Sequence, residues 1–155
     1  MRLVVQRVRR AAVRSGPELL GEIGPGAAVL TGIGSSDTPE IVDRMADKLA
    51  GLRYFEDASG RTNRSIVESG GALLVVSQFT LYADVRRGRR PGFTDAALPD
   101  AAHPLLERFI DRLRAGGLRV ETGRFGAAMT VEIVNDGPFT LIIDSERDLA
   151  TMGSG

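Results

Sequence analysis

The chain has 155 residues, 43% of them hydrophobic, which is enough to bury a core in one ordinary domain and too short for two comfortable ones. Twenty basic and twenty acidic residues cancel to a net charge of zero, so any nucleic-acid contact is local rather than a property of the whole surface. There is no cysteine, which excludes disulfides, thiolate ligands and cysteine nucleophiles, and the one histidine, His103, leaves little for a His-based metal site or a Ser-His-Asp triad.

The first residues, Met1-Arg2-Leu3-Val4-Val5-Gln6-Arg7, go straight into a strand-like pattern, with no signal peptide. No apolar run approaches membrane-spanning length, and the expectation is a cytoplasmic protein without a membrane partner. Residues 3–8 are apolar and β-branched and predict a strand. Residues 11–14 and 19–23 flank Ser15-Gly16-Pro17, which predicts a hairpin. Residues 27–33 form a continuous apolar run bounded by glycines, as a buried strand does. A helix follows, with Asp37 or Thr38 as its cap, Pro39 where a missing N–H costs nothing, and Glu40 at the positive end of the dipole. Ile41, Val42, Met45, Leu49 and Leu52 share one face of it, and it ends near Gly51.

Residues 53–55 read as a short strand and 57–60 as a turn. Gly70-Gly71 introduces a central strand over 72–76, which runs into Ser77-Gln78-Phe79-Thr80-Leu81-Tyr82. Residues 84–93 are polar, Arg-rich and broken by Gly88 and Pro91-Gly92, hence a loop. A second helix covers 100–115, with Leu105, Leu106, Phe109, Ile110 and Leu113 inward and Gly116-Gly117 as terminator. Strands over 118–122, 128–134 and 139–143 close the chain, and Met129, Val131 and Ile133 alternate with Thr130 and Glu132. A single domain over 1–145 and a loose tail over 146–155 are expected. Many strands and two main helices without regular βαβ alternation predict an α+β domain with mixed or antiparallel sheets.

Two stretches interrupt the apolar pattern with groups that can do chemistry. Ser77, Gln78, Phe79 and Thr80 sit where an apolar strand ends, offering hydroxyls, an amide and backbone N–H groups able to hold an oxyanion. An ordinary polar strand end explains the same residues. Asn135-Asp136-Gly137-Pro138-Phe139-Thr140 places Gly-Pro in a strand-like stretch, where proline breaks the ladder and a cis bond would aim neighbouring carbonyls at a ligand ammonium. A simple turn between two strands is the competing reading. The arginines at 86, 87, 89 and 90 suit either phosphate contact or a solvated loop. Neither motif contains a His or Lys to activate Ser77 or Thr80 as a nucleophile.

Taken together, the runs Val5-Gln6-Arg7-Val8, Gly21-Glu22-Ile23-Gly24, Leu52-Arg53-Tyr54-Phe55, Val75-Val76-Ser77-Gln78-Phe79-Thr80-Leu81, Arg90-Pro91-Gly92-Phe93-Thr94, Thr122-Gly123-Arg124-Phe125-Gly126-Ala127 and Val134-Asn135-Asp136-Gly137-Pro138-Phe139-Thr140 are specific. In this order they make the chain resemble the bacterial D-aminoacyl-tRNA deacylases from Met1 to about Asp144. The resemblance implies a barrel-like homodimeric hydrolase without metal or cofactor. Its substrate would be the ester between a D-amino acid, or glycine, and the acceptor end of tRNA. It implies that Gly137-Pro138 is a cis pair entering the partner's active site, where main-chain carbonyls capture the α-ammonium and the loop excludes an L side chain. Ser77, Gln78, Phe79 and Thr80 would line that pocket, with Asn135 and Thr140 flanking the loop, Arg7 bracing it, and Ala102, Phe125, Gly126 and Met129 shaping an adenosine pocket. The terminal ribose 2′-OH would assist the attacking water. Ala12 and Gly92 stand where Ser is common in the family, and Phe139 replaces a smaller residue. The competing readings are an esterase with Thr80 as nucleophile and a non-catalytic tRNA-binding dimer.

Overall fold

The computed structural model describes residues 1–149. In chain order the elements are β1 (Arg2–Ser15), β2 (Glu18–Ile23), β3 (Gly26–Gly32), α1 (Pro39–Gly51), β4 (Arg53–Glu56), β5 (Thr62–Ser65), α2 (Ile66–Ser69), β6 (Ala72–Ser77), a 3₁₀ turn (Phe79–Tyr82), α3 (Pro99–Ala115), β7 (Val120–Thr122), β8 (Thr130–Asp144) and α4 (Ser145–Asp148).

The long strand β1 organises the main sheet. The chain reverses at Gly16, whose φ of +55° suits a residue without Cβ, and β2 pairs antiparallel with the second half of β1. β3 continues along the same edge and pairs with the first half. β6 adds parallel to β3, and β7 parallel to β6. The order is therefore β2-β1-β3-β6-β7, with β8 on the other edge of β1. The sheet curls until β2 lies against β7: a Cβ on Gly21 would sit 2.9 Å from the Thr122 carbonyl oxygen. The result is the expected α+β domain with a nearly closed, barrel-like mixed sheet. β4 and β5 form a separate two-stranded ribbon.

Two apolar cores explain the runs of β3 and β6, which are apolar on both faces as central strands require. Ala27, Val29, Leu73 and Val75 face the core covered by α1 and α3, whereas Ala28, Ala72, Leu74 and Val76 point into the curl. The helices bury Val42, Met45, Leu49, Leu106, Phe109 and Leu113 against the first core. Their solvent sides are tied by paired guanidinium–carboxylate contacts, Arg108 to Asp43 at 2.8 Å and Arg112 to Asp47 at 2.8–2.9 Å.

Of the two candidate caps of α1, Thr38 takes the role, accepting from the Ile41 amide at 3.3 Å, while Asp37 accepts from the Gly34 amide and the Met1 ammonium. Three local details differ from the sequence expectations. β5 and α2 occupy a polar stretch with no strong periodicity. Residues 128–134 and 139–143 do not make two separate strands. Residues 130–134 and 139–143 belong to one 15-residue strand, β8, whose halves pair in the same direction with β1 around a bulge at 136–139, and residues 128–129 precede it. The tail is not loose from Ser145: α4 is capped by Asp144, and both Ser145 and Leu149 are buried. The remainder of the expected tail, 150–155, lies outside the described residues. Among the described residues no helix is long and apolar enough to cross a membrane.

Candidate active site

The strand β6 ends at Ser77 because the next residue leaves the ladder. Gln78 donates its amide to the Thr31 carbonyl at 2.8 Å, then turns with φ −145° and ψ 78° into the 3₁₀ turn. That turn is held from beneath by Arg2, which donates to the Leu81 carbonyl at 2.9 Å and lies 4.4 Å from the centroid of the Tyr82 ring. The Gln78 side-chain amide donates to the Thr80 hydroxyl. Among the described residues, the backbone amides of Phe79 and Thr80 have no hydrogen-bond acceptor. They are the first two N–H groups of the turn and stand free beside Ser77.

Three cavities share Ser77. One of about 350 Å³ is mainly apolar and is lined by Phe79, Phe93, Ala102, Phe125 and Gly126 among others. A second, of about 260 Å³, lies between Gln78, Phe79, Gly126 and Met129. A third, of about 430 Å³, runs between α3 and the loop before β8, past His103, Arg124, Phe125 and Met129. Ala102, Phe125, Gly126 and Met129, expected in a common pocket, do not line one cavity: Ala102 lines the first and Met129 the other two, with Phe125 and Gly126 each lining two of the three. Phe93 was not singled out as a site residue, yet it meets Phe79 edge-on with ring centroids 5.1 Å apart. Its signal was an aromatic residue inside an otherwise polar loop. His103, for which a lone histidine gives no site signal in the sequence, stacks on Phe125 at 4.5 Å with the rings 5° from parallel.

The bulge in β8 is built as tightly as the turn after β6. Asn135 accepts from the Phe139 amide at 3.2 Å and donates to the Phe139 carbonyl at 3.0 Å and the Arg7 carbonyl at 2.8 Å, closing residues 136–138 into a projecting loop. Arg7 is buried. Its Nε donates to the Asp136 carbonyl at 3.2 Å and its Nη1 to the Tyr54 carbonyl at 2.9 Å, and its guanidinium lies 4.7 Å from the centroid of the Phe139 ring. Thr140 accepts from the Gln6 amide at 3.2 Å where the ladder resumes. The Gly137–Pro138 peptide is cis, and both residues are exposed. Gly137 has φ +137°, and a Cβ there would lie 2.8 Å from the Phe139 nitrogen, so only glycine fits without rearrangement. Among the described residues no side chain donates to the Gly137 or Pro138 carbonyl.

The two expected motifs are not brought together within one chain. Among the described residues, no hydrogen bond, ion pair or common cavity joins 135–140 to 77–80. In the Arg-rich loop, Asp84 chelates Arg86 at 2.8–2.9 Å, and these hydrogen bonds hold the carboxyl down at about 2. Arg87, Arg89 and Arg90 are exposed and make no ion pair among the described residues.

Comparison with known proteins gives this geometry a family. The family model described as D-Tyr-tRNA(Tyr) deacylase matches residues 4–144. A protein of Symbiobacterium thermophilum named D-aminoacyl-tRNA deacylase is 61% identical over 147 residues, covering 95% of this chain and 97% of that one. A like-named protein of Roseiflexus is 55% identical over 145 residues, covering 94% of each. Among solved structures, the c-Myc DNA Unwinding Element Binding Protein superposes with a TM-score of 0.87 at 40% identity, covering 93% of this chain and 98% of that one. A probable eukaryotic D-amino acid tRNA deacylase superposes with a TM-score of 0.83 at 20% identity over 92% and 98% of the two chains, which supports the fold alone. With a family match over residues 4–144 and like-named relatives more than half identical across nearly its whole length, the chain belongs to the D-Tyr-tRNA(Tyr) deacylase family, a family of hydrolytic enzymes.

Proposed function

We propose that this protein hydrolyses the ester linking a D-amino acid, and glycine, to the terminal adenosine of tRNA, and that two copies of the chain are needed to do it. The observation that carries the reading is the pair of adjacent amides, Phe79 and Thr80, without a hydrogen-bond acceptor among the described residues, in a turn whose Phe79 lines an apolar cavity of adenosine-accommodating size. They suit the developing negative charge on an ester carbonyl, which backbone donors stabilise without reorganising. Phe79, Phe93, Ala102, Phe125 and Gly126 surround the base, Met129 borders the two adjoining cavities, and Ser77 is common to all three.

The projecting Gly137-Pro138 loop supplies the complementary half. Its carbonyls are acceptors for an α-ammonium, and its bulk excludes a side chain of L configuration. Glycine, without a side chain, passes. Because the loop is remote from Thr80 within one chain, it acts on the site of a second copy. Arg7, Asn135 and Thr140 hold the loop in shape rather than touch the ester. With no imidazole, lysine or carboxylate hydrogen-bonded to Thr80 among the described residues, the ribose 2′-OH of the substrate is the group that assists water. Thr80→Val should retain deacylation within about tenfold, since its amide survives, whereas a nucleophilic hydroxyl would lose the orders of magnitude expected of a covalent catalyst.

The decisive assay follows release of tyrosine from D-Tyr-tRNA and L-Tyr-tRNA by purified protein. Cleavage of the D form alone is expected. Binding of tRNA or DNA without turnover would replace the enzyme reading with nucleic-acid binding, the property for which the relative at 40% identity is named.

A further inference from the structure

The groove between α3 and the loop before β8 has polar chemistry that the ester reaction leaves unused. Its volume is about 430 Å³, and it joins the adenosine cavity through the shared walls Ser77 and Phe125. His103, Glu107 and Asp111 recur at helical spacing along the rim of α3, and Arg124 stands on the opposite side. Glu107 lies 3.1 Å from His103 Nε2, while Arg124 is oriented by Glu18 at 2.8 Å. His103 and Phe125 stack face to face, with centroids 4.5 Å apart and planes 5° from parallel, so the pair adds flat outer ring faces to the lining of the groove.

We propose that this groove is a base-specific subsite for the nucleotide that precedes the terminal adenosine, a cytosine in the C-C-A end of tRNA. The inference rests on the reading above, in which the adenosine occupies the neighbouring cavity. A nucleotide joined to that adenosine needs a second cavity continuous with the first, and this one shares two walls with it. The aromatic pair stacks the base, as aromatic side chains do for single-stranded nucleic acid. Carboxylates on the α3 rim, where Arg114 is tied to the Val120 carbonyl at 2.8 Å, and the Arg124 guanidinium on the other side match the Watson–Crick edge of cytosine. Its exocyclic amine donates to Glu107 or Asp111, and its ring nitrogen and carbonyl accept from Arg124. Uracil puts a carbonyl where cytosine has the amine, so a carboxylate faces an acceptor and neither finds a partner. The alternative exit, over Phe93, would take the strand past Arg87, Arg89 and Arg90, which contact phosphates without reading bases.

The test compares D-tyrosyl esters of adenosine, of cytidylyl-adenosine and of uridylyl-adenosine. For the wild-type protein, kcat/KM for the cytidylyl ester should exceed that for the uridylyl ester by about 10-fold, the discrimination a well-made base contact supplies. In Glu107→Gln or Asp111→Asn the ratio should fall toward one, because an amide can turn to donate or accept. A loss of packing alone would lower both substrates together and leave the ratio intact. Equal wild-type rates on the two dinucleotide esters, with the adenosine ester cleaved, would overturn the subsite while leaving the deacylase reading standing, and so would a ratio unmoved in both variants. An intact adenosine ester together with intact D-Tyr-tRNA would overturn both.

Discussion

Replacing Arg7 with alanine tests whether the projecting loop is held from within the fold. The guanidinium donates to two main-chain carbonyls, Asp136 at 3.2 Å and Tyr54 at 2.9 Å. Hydrogen bonds from a charged donor contribute about 1.5–3 kcal/mol each, and the longer contact belongs at the low end, giving about 3 kcal/mol for the pair. Its position over the Phe139 ring adds about 1 kcal/mol. The carboxylates of Asp136 and Glu56, at 3.6 Å and 3.9 Å, are partly exposed, and their attraction is screened enough to leave out. Arg7→Ala should therefore destabilise the protein by about 4 kcal/mol, and Arg7→Lys, which keeps one donor direction, by about 2 kcal/mol. In urea the alanine variant should unfold with a midpoint lower by about 2 M at an ordinary slope for this size. Hydrolysis of D-Tyr-tRNA should fall in the same order. In a double-mutant cycle with Phe139→Leu, the coupling should be about 1 kcal/mol. An Arg7→Ala protein within about 1 kcal/mol of wild type and fully active would refute the bracing account.

Gly137→Ala forces a side chain into φ +137° with a Cβ 2.8 Å from the Phe139 nitrogen. Holding that conformation costs about 1–3 kcal/mol, so the competent loop should fall up to about 100-fold in population, read as lost turnover of D-Tyr-tRNA with little change in the urea midpoint. Unchanged turnover would mean the loop adopts another shape when it works. Tyr54 is buried with no hydrogen-bond partner for its hydroxyl among the described residues. Tyr54→Phe removes that unpaired group and should stabilise by about 1 kcal/mol, a rise of roughly 2–4 °C in Tm, whereas a comparable fall would reveal a bound water. The Arg86 side chain hydrogen-bonds the ionised form of Asp84 and holds its carboxyl down at about 2. Since the folded value lies below the unfolded value of about 3.9, the contribution of this pair to stability is complete above the unfolded value and lost as pH falls toward 2. In Arg86→Ala the titration of the Asp84 carboxyl carbon, followed by NMR, should move upward toward the ordinary range but stop short of it, because the residue 86 amide still donates to the carboxylate at 3.0 Å.

Much of the scaffold was readable because burial leaves a period. The continuous apolar runs of β3 and β6 announced strands covered on both faces, and the Thr38-Pro39-Glu40 start announced α1. Where burial is one-sided or absent the signal fades, as in Thr62–Ser65, whose pairing with β4 is set by tertiary context. The stretch around Gly137-Pro138 misled in another way. Proline marks a break in a ladder, but nothing local distinguishes a chain that reverses from one that bulges and continues along the same partner. Deciding that needed β1, more than a hundred residues away, to be seen pairing with both halves of β8. In the same way, the gathering of Ala102, Phe125 and Met129 around Ser77 depends on how α3 and the loop before β8 close over the sheet end.

The proposed chemistry uses no titratable side chain, and there is a physical reason why a sequence shows it poorly. In that proposal four groups serve the ester and its amine: the amides of Phe79 and Thr80 and the carbonyls of Gly137 and Pro138. All four are main-chain atoms. Their strength as donors and acceptors is the same in every residue type, so the sequence can encode only their placement. Side chains carry that placement. Gln78 anchors its amide on Thr31 and its side chain on Thr80, Asn135 closes the bulge on both faces of Phe139, and Arg7 ties the bulge to Tyr54. Substitutions should therefore hurt in proportion to the backbone they release rather than to the polar group they delete. On that scale Asn135→Ala, which frees three hydrogen bonds, should cost more turnover than Thr80→Val, which frees one. The opposite ranking in single-turnover assays would return the hydroxyl of Thr80 to the centre of the mechanism.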